Sequence, residues 1–157
     1  MPSDGQVFRW LPVAVSAIAA QLPANAVVVV QGDTMSSLAG ARAAQHRGLA
    51  LAHIEAGVRS HNMSEPWPEE GFRVEIDHLA RYHYAPTEHA KANLRTEGIL
   101  DAVVTGNSGV SALYRYGQVT KASPAWRIVI TMHRREWLDR MDLGQALHEV
   151  KSFAKAH

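Results

Sequence analysis

Four ionisable residues in this sequence stand where chemistry would need them. Asp33 follows the run Val27 to Gln31, Glu55 follows Leu49 to Ile54, and His133 follows Ile128 to Met132. Glu69 opens a predicted helix after a loop rich in Gly57, Ser60, Asn62, Pro66 and Pro68. In an open parallel sheet, ligands bind outside the carboxyl ends of the strands, so residues at those exits share one rim. Three carboxylates and an imidazole there provide an acid/base pair, provided burial and mutual repulsion keep one carboxyl protonated near neutral pH. Each residue also has a plain structural reading. Asp33 caps the helix after it, Glu69 favours a helix N-terminus through the dipole, and His133 is a satisfied core residue.

The elements that would position these groups follow from periodicity. Val7, Leu11, Ala14, Ile18 and Leu22 recur at helical spacing, and this helix ends near Pro23. The stretch from Arg9 to Ala26 also imitates a secretory signal with Ala24-Asn25-Ala26 as its cleavage site, but Gln21, Pro23 and Asn25 fit that reading poorly. Val27 to Val30 has no polar alternation, which predicts an interior parallel strand covered on both faces. Met35 to His46 reads as an Ala-rich helix and Leu49 to Ile54 as the next strand. Phe72, Ile76, Leu79, Ala80 and His83 form the buried stripe of a helix starting near Glu69. Tyr82 to Ala85 is a short strand, Thr87 caps a helix that Gly98 terminates, and Val103-Val104-Thr105 leads through Gly106-Asn107 into a helix ending near Gly117. Ile128-Val129-Ile130 restarts the pattern, and Leu143, Ala146, Leu147, Val150 and Phe153 mark a last helix.

This β-then-α alternation predicts an α/β fold, a Rossmann-like parallel sheet flanked by helices. A boundary near Ser123 would separate a partial domain, 1–123, from the start of a second, 124–157.

With 157 residues and 46% hydrophobic content the chain is long enough for one buried core. Sixteen basic side chains against 15 acidic ones give no net field that would draw it to nucleic acid or an acidic membrane. No apolar run reaches the ~20 residues that span a bilayer. Cysteine is absent, which excludes disulfides and thiolate chemistry. Nine histidines are present, but they are scattered and no His-Glu-x-x-His occurs, so no metal is expected. Trp67, between two prolines, either closes over a ligand ring or anchors its loop.

Four segments occur together and in order: Gln31-Gly32-Asp33-Thr34, His53-Ile54-Glu55-Ala56-Gly57-Val58-Arg59-Ser60, Pro66-Trp67-Pro68-Glu69-Glu70 and Thr131-Met132-His133-Arg134-Arg135-Glu136. With Asp77-His78-Leu79-Ala80, Ala85-Pro86-Thr87-Glu88 and Val104-Thr105-Gly106-Asn107, they make the chain resemble the non-hydrolysing UDP-N-acetylglucosamine 2-epimerases from about Pro23 to Glu136. The resemblance implies part of a two-domain, GT-B-like fold and interconversion of UDP-GlcNAc and UDP-ManNAc, by elimination and re-addition of UDP. It implies no nicotinamide or other cofactor, a cytoplasmic setting, and a role in polysaccharide biosynthesis. Asp33, Glu55 and Glu69 match the family's catalytic carboxylates, and His133 matches the histidine associated with the diphosphate. Arg59, Arg73, Asn107, Arg134 and Arg135 are the implied substrate contacts, although adjacent residues such as Arg134 and Arg135 cannot both face a cleft from a regular strand.

The sequence departs from the family in lacking its Gly-Thr-Arg-Pro-Glu opening and most of the second domain. Phe72, Ser111 and Trp137 stand where Asn, Asp and Asn are usual. Loss of the opening strand leaves Val27 to Val30 with an unpaired edge, which self-association, a partner chain or the Val7 to Leu22 helix would cover. Two further readings stay open: a nucleotide-sugar binding module without turnover, and a catalytically silent interaction subunit.

Overall fold

A computed structural model of the chain describes residues 8–117 and 142–156. The chain divides into two compact units, Met1–Gly117 and Gln118–His157.

In the first unit, helix α1 (Leu11–Gln21) leads into strand β1 (Val27–Gln31), helix α2 (Met35–His46) and strand β2 (Ala50–Ile54). Helix α3 (Glu69–Leu79), strand β3 (Tyr82–Ala85), helix α4 (Glu88–Thr96), strand β4 (Val103–Val104) and helix α5 (Ser108–Tyr116) follow. The strands form one parallel sheet in the order β1-β2-β3-β4. In the second unit, helix α6 (Leu143–Ala156) opens on Asp142, whose Oδ1 accepts from the amides of Gly144 at 2.8 Å and Gln145 at 3.2 Å.

Side-chain caps also begin three helices of the first unit. Thr34 accepts from the Ser37 amide, Thr87 from Ala90, and Asn107 from Gly109 and Val110. The small residues of α2 let it lie against the sheet: Ala39, Ala41, Ala43 and Ala44 are fully buried, and a Cβ on Gly40 would sit 3.0 Å from Cγ1 of Val30. Leu38, Leu51, Ile76, Val30 and Phe72 complete this core, with Leu11 of α1 joining from the outer side. Burial of each large aliphatic side chain contributes about 1.5–3 kcal/mol.

The expectation of a doubly covered β1 is corrected. Val30 is buried, but Val27 and Val29, on the opposite face, are 54% and 58% exposed, and β1 is the edge of the sheet. Strand order follows chain order, so right-handed crossovers put α2, α3 and α4 all on one side. Tyr82 of β3 and Val103 of β4 are exposed with Val27 and Val29. Helix α1 packs on α2 and contributes to the buried core. The helix over Phe72 and Ile76 stops at Leu79, and His83, read as its last buried position, belongs instead to β3.

Gly57 is fixed by geometry. Its φ is 79°, and a Cβ there would meet the carbonyl oxygen of Ala90 at 2.2 Å and Cγ of Leu94 at 2.8 Å. Gly48 has a similar φ of 62° with open space around it. Gly48→Ala should therefore cost only the left-handed penalty, about 1–2 kcal/mol. Gly57→Ala adds overpacking, for a loss of about 2–5 kcal/mol. Urea unfolding midpoints check this, and equal losses for the two variants would contradict the account.

Candidate functional site

The exits of β1 and β2 are held together by backbone bonds. The Gly32 amide donates to the Ile54 carbonyl at 3.0 Å, and the amides of Glu55 and Ala56 both donate to the Tyr84 carbonyl. The chain turns through left-handed conformations at Gly32, φ 67°, and at Glu55, φ 74°. A glutamate at positive φ costs on the order of 1–3 kcal/mol and persists only where neighbours enforce it, a condition common at functional sites. These turns bring Glu55 beside the Gly32-Asp33 corner, where its Oε2 lies 3.6 Å from the position of a Cβ on Gly32.

Asp33 does not cap α2; Thr34 does, and the Asp33 carboxylate instead forms an ion pair with Arg73 of α3. The other arm of Arg73 donates to Glu70 Oε2 at 3.1 Å. Burial pushes the Glu70 carboxyl up, but bonds from the Ser60 and His61 amides at 3.0 Å and the Arg73 charge prevail and hold it below the usual range. Glu69 precedes Arg73 by one turn, so both lie on the same side of α3. Its Oε2 is buried and has no hydrogen-bond partner among the described residues.

Behind this rim lies a second group of charges. The Asp77 side chain has no solvent exposure, and its oxygens meet His53 Nδ1 at 2.6 Å, the Gly57 amide at 3.0 Å and Arg59 Nη1 at 2.8 Å. Burial raises the Asp77 carboxyl, but His53, Arg59 and the Gly57 amide outweigh it and hold the group below its ordinary value. The other imidazole nitrogen of His53 bonds to the Gly32 carbonyl at 3.0 Å. Arg59 is almost fully buried and also donates to both oxygens of Glu97 at 2.7 Å and to the Val58 carbonyl. Asn93 donates to the Gly57 carbonyl at 2.9 Å.

Of the expected substrate contacts, Arg73 lies at the rim between Asp33 and Glu70, and Arg59 is engaged behind it with internal carboxylates. Asn107 caps α5 next to Ser108, whose hydroxyl meets Gln31 Nε2 at 3.3 Å. His133, Arg134 and Arg135 lie outside the described residues, as do Ile128-Val129-Ile130 and Trp137. Trp67 meets the ring of Phe8 edge-on at 6.2 Å, and Phe8 in turn meets Phe72 at 6.0 Å, a stack that anchors the loop. No group of three metal-ligating side chains gathers among the described residues. Sequence reasoning missed His53, Glu70, Asp77 and Glu97 as a set. The one available signal was that Arg73 and Asp77 interleave with Phe72 and Ile76 on the inward side of α3.

The sequence model of the UDP-N-acetylglucosamine 2-epimerases matches residues 13–157. The chain belongs to that family. It is 34% identical over 149 residues to the UDP-N-acetylglucosamine 2-epimerase of Escherichia coli K12, covering 83% of this chain and 39% of that protein. It is 41% identical over 153 residues to a probable UDP-N-acetylglucosamine 2-epimerase of Ralstonia solanacearum, with 83% and 40% covered. The Neisseria meningitidis epimerase bound to UDP-GlcNAc superposes with a TM-score of 0.65 at 35% identity, over 69% of this chain and 31% of that one. The Methanocaldococcus jannaschii epimerase in complex with UDP-GlcNAc and UDP gives 0.60 at 41% identity, over 70% and 30%. This epimerase-family chain thus spans about two fifths of the length of the curated relatives it matches. Its fold is α/β and matches part of the GT-B-like neighbours. No helix among the described residues is long and apolar enough to cross a membrane.

Because Asp77 and Glu70 titrate lower when folded, their stabilisation is full above the ordinary values of 3.8 and 4.5 and is lost as pH falls through the lower folded values. Asp77→Asn, which strands a buried cation, should cost about 3–5 kcal/mol near neutral pH. Its unfolding midpoint should also fall less steeply with acid than that of the native chain. Glu75→Gln, at the exposed ion pair with Arg42, should cost only about 0–1 kcal/mol. Thermal melts across the acid range test both. Equal effects would show that the buried carboxylate is not special.

Proposed function

We propose that this chain supplies the acid/base groups of a UDP-GlcNAc 2-epimerase. Asp33, Glu55 and Glu69 are the proposed catalytic carboxylates, and His133 the group beside the diphosphate. The observation that carries the reading is the meeting of Glu55, in a left-handed conformation, with the Gly32-Asp33 corner. Arg73 ties that corner to α3, where Glu69 offers a buried oxygen without a partner among the described residues.

Inversion at C2 sets the chemical requirement. A base removes the C2 proton, the C1–O bond to UDP breaks, and a 2-acetamidoglucal forms. Return of a proton to the opposite face of C2, with re-addition of UDP at C1, gives UDP-ManNAc. One proton-transfer group is therefore needed on each face of the sugar, which a rim of several carboxylates can provide. Cations and helix N-termini facing the departing diphosphate stabilise its charge, the role proposed for His133, Arg134 and Arg135. No cofactor enters this scheme, and the cytoplasm, where nucleotide sugars are used in polysaccharide synthesis, is the proposed setting.

Incubation with UDP-GlcNAc in D2O, followed by proton NMR, tests the reading through deuterium at C2. Glu55→Gln, Asp33→Asn and Glu69→Gln should each slow exchange by roughly 10²- to 10⁴-fold. The span of about two fifths of the relatives' length favours one second reading, a module that binds the nucleotide sugar without turnover. Calorimetric binding of UDP-GlcNAc without C2 exchange would select it. Absence of both binding and exchange would leave only an interaction subunit.

The β1 edge, unpaired among the described residues and with Val27 and Val29 exposed, is the proposed surface for a second copy or a partner chain. Light scattering should give a mass above that of the monomer, and Val29→Lys should lower it. A native chain that is already a clean monomer contradicts self-association.

A further inference from the structure

The ring of His53 is fully buried on β2 and touches an acceptor at each nitrogen. Nδ1 faces Asp77 Oδ1 at 2.6 Å, and Nε2 faces the Gly32 carbonyl at 3.0 Å. A carbonyl oxygen only accepts, so Nε2 carries a proton. Asp77 spends its other oxygen on the Gly57 amide and on Arg59, both donors, as an ionised carboxylate does. Its Oδ1 therefore accepts as well, and Nδ1 also carries a proton. A neutral imidazole has a single N–H and cannot make both bonds.

The surrounding charges fit a cationic ring. Asp77 and Glu97 are the anions of the group, and His53 and Arg59 the cations, so two balance two. From β3, the paired residue His83 turns its Nε2 to the Asp77 backbone carbonyl at 2.7 Å and adds no charge requirement. Beyond the Gly32 carbonyl stand Asp33 with Arg73 and Glu70, and Glu55.

We infer that His53 is a buried imidazolium, clamped between Asp77 and the Gly32 carbonyl, and that it positions the Asp33 and Glu55 carboxylates. Through Nε2 it fixes the peptide directly before Asp33. Through Asp77 it is joined to the Gly57 amide, two residues beyond Glu55, so one carboxylate secures the backbone at both strand exits. The corner opens when either proton leaves the ring, because one of the two bonds then faces two acceptors across an empty position. His53 is a positioning residue and touches no substrate. The assignment of Asp33 and Glu55 as the groups being positioned for catalysis rests on the epimerase reading, whereas the protonation of the ring does not.

Histidine-labelled chain near pH 7, observed through two-bond imidazole ¹H–¹⁵N correlations, gives the test. Both His53 nitrogens should show protonated-type shifts, and Asp77→Asn should turn one of them into the unprotonated type. His53→Gln identifies the signals; should that variant not fold, replacement of the other eight histidines one at a time identifies them by elimination. As pH rises, the Asp33 and Glu55 amides should titrate with the same midpoint as the His53 ring while the Gly48 amide does not. A native ring with one unprotonated nitrogen near neutral pH overturns the imidazolium, and amides that ignore its titration overturn the positioning. If both signatures appear yet the native chain leaves C2 unexchanged, the clamp stands and the proposed reaction fails.

Discussion

The carboxylate of Asp77 is out of contact with water, and an ionised group in that place survives only if each of its oxygens is bonded. Its partners come from one short stretch at the exit of β2: His53 on the strand, the Gly57 amide in the turn after it, and Arg59 just beyond. Removing one would leave a buried charge with too few bonds, which costs more than the pair contributes by existing. The group therefore acts less as a source of net stability than as a condition on geometry. The Gly32-Asp33 corner, the left-handed Glu55 and the close approach of Gly57 to Ala90 are conformations that this condition holds in place.

A second constraint comes from chirality. With strand order following chain order, right-handed crossovers stack α2, α3 and α4 on one side, and the charged groups on α3 face the exits of β1 and β2. The same rule leaves Val27, Val29, Tyr82 and Val103 exposed. The candidate site at the strand exits and an open apolar surface on the sheet thus have a common origin in the winding of the chain.

Much of this arrangement is legible in the sequence because the signals are local. The strand Tyr82–Ala85, the cap at Thr87, the stop at Gly98 and the helix opening at Glu69 are written in runs of a few residues. The strands that end at Gln31 and Ile54 are equally local signals, and they place Asp33 and Glu55 just beyond those ends. What is not legible depends on pairing between distant residues. Nothing near Glu69 and Glu70 says that Glu70 is the one bonded to the turn at Ser60, or that Arg59 turns to Glu97 at a separation of 38 residues. The valine run was misread for a related reason: apolar β-branched residues specify a strand, but the number of covered faces is a property of the whole topology.

If Asp33, Glu55 and Glu69 form one rim at the strand exits, a nucleotide sugar should disturb that end of the sheet and leave the other end alone. Titration of ¹⁵N-labelled chain with UDP-GlcNAc, followed by amide shifts, measures this directly. The account predicts movement at Gly32, Asp33, Glu55 and Glu69, with Gly48 and Gly98, which precede β2 and β4, unmoved. Shifts centred on Gly48 and Gly98, or no shifts at any concentration, would contradict it.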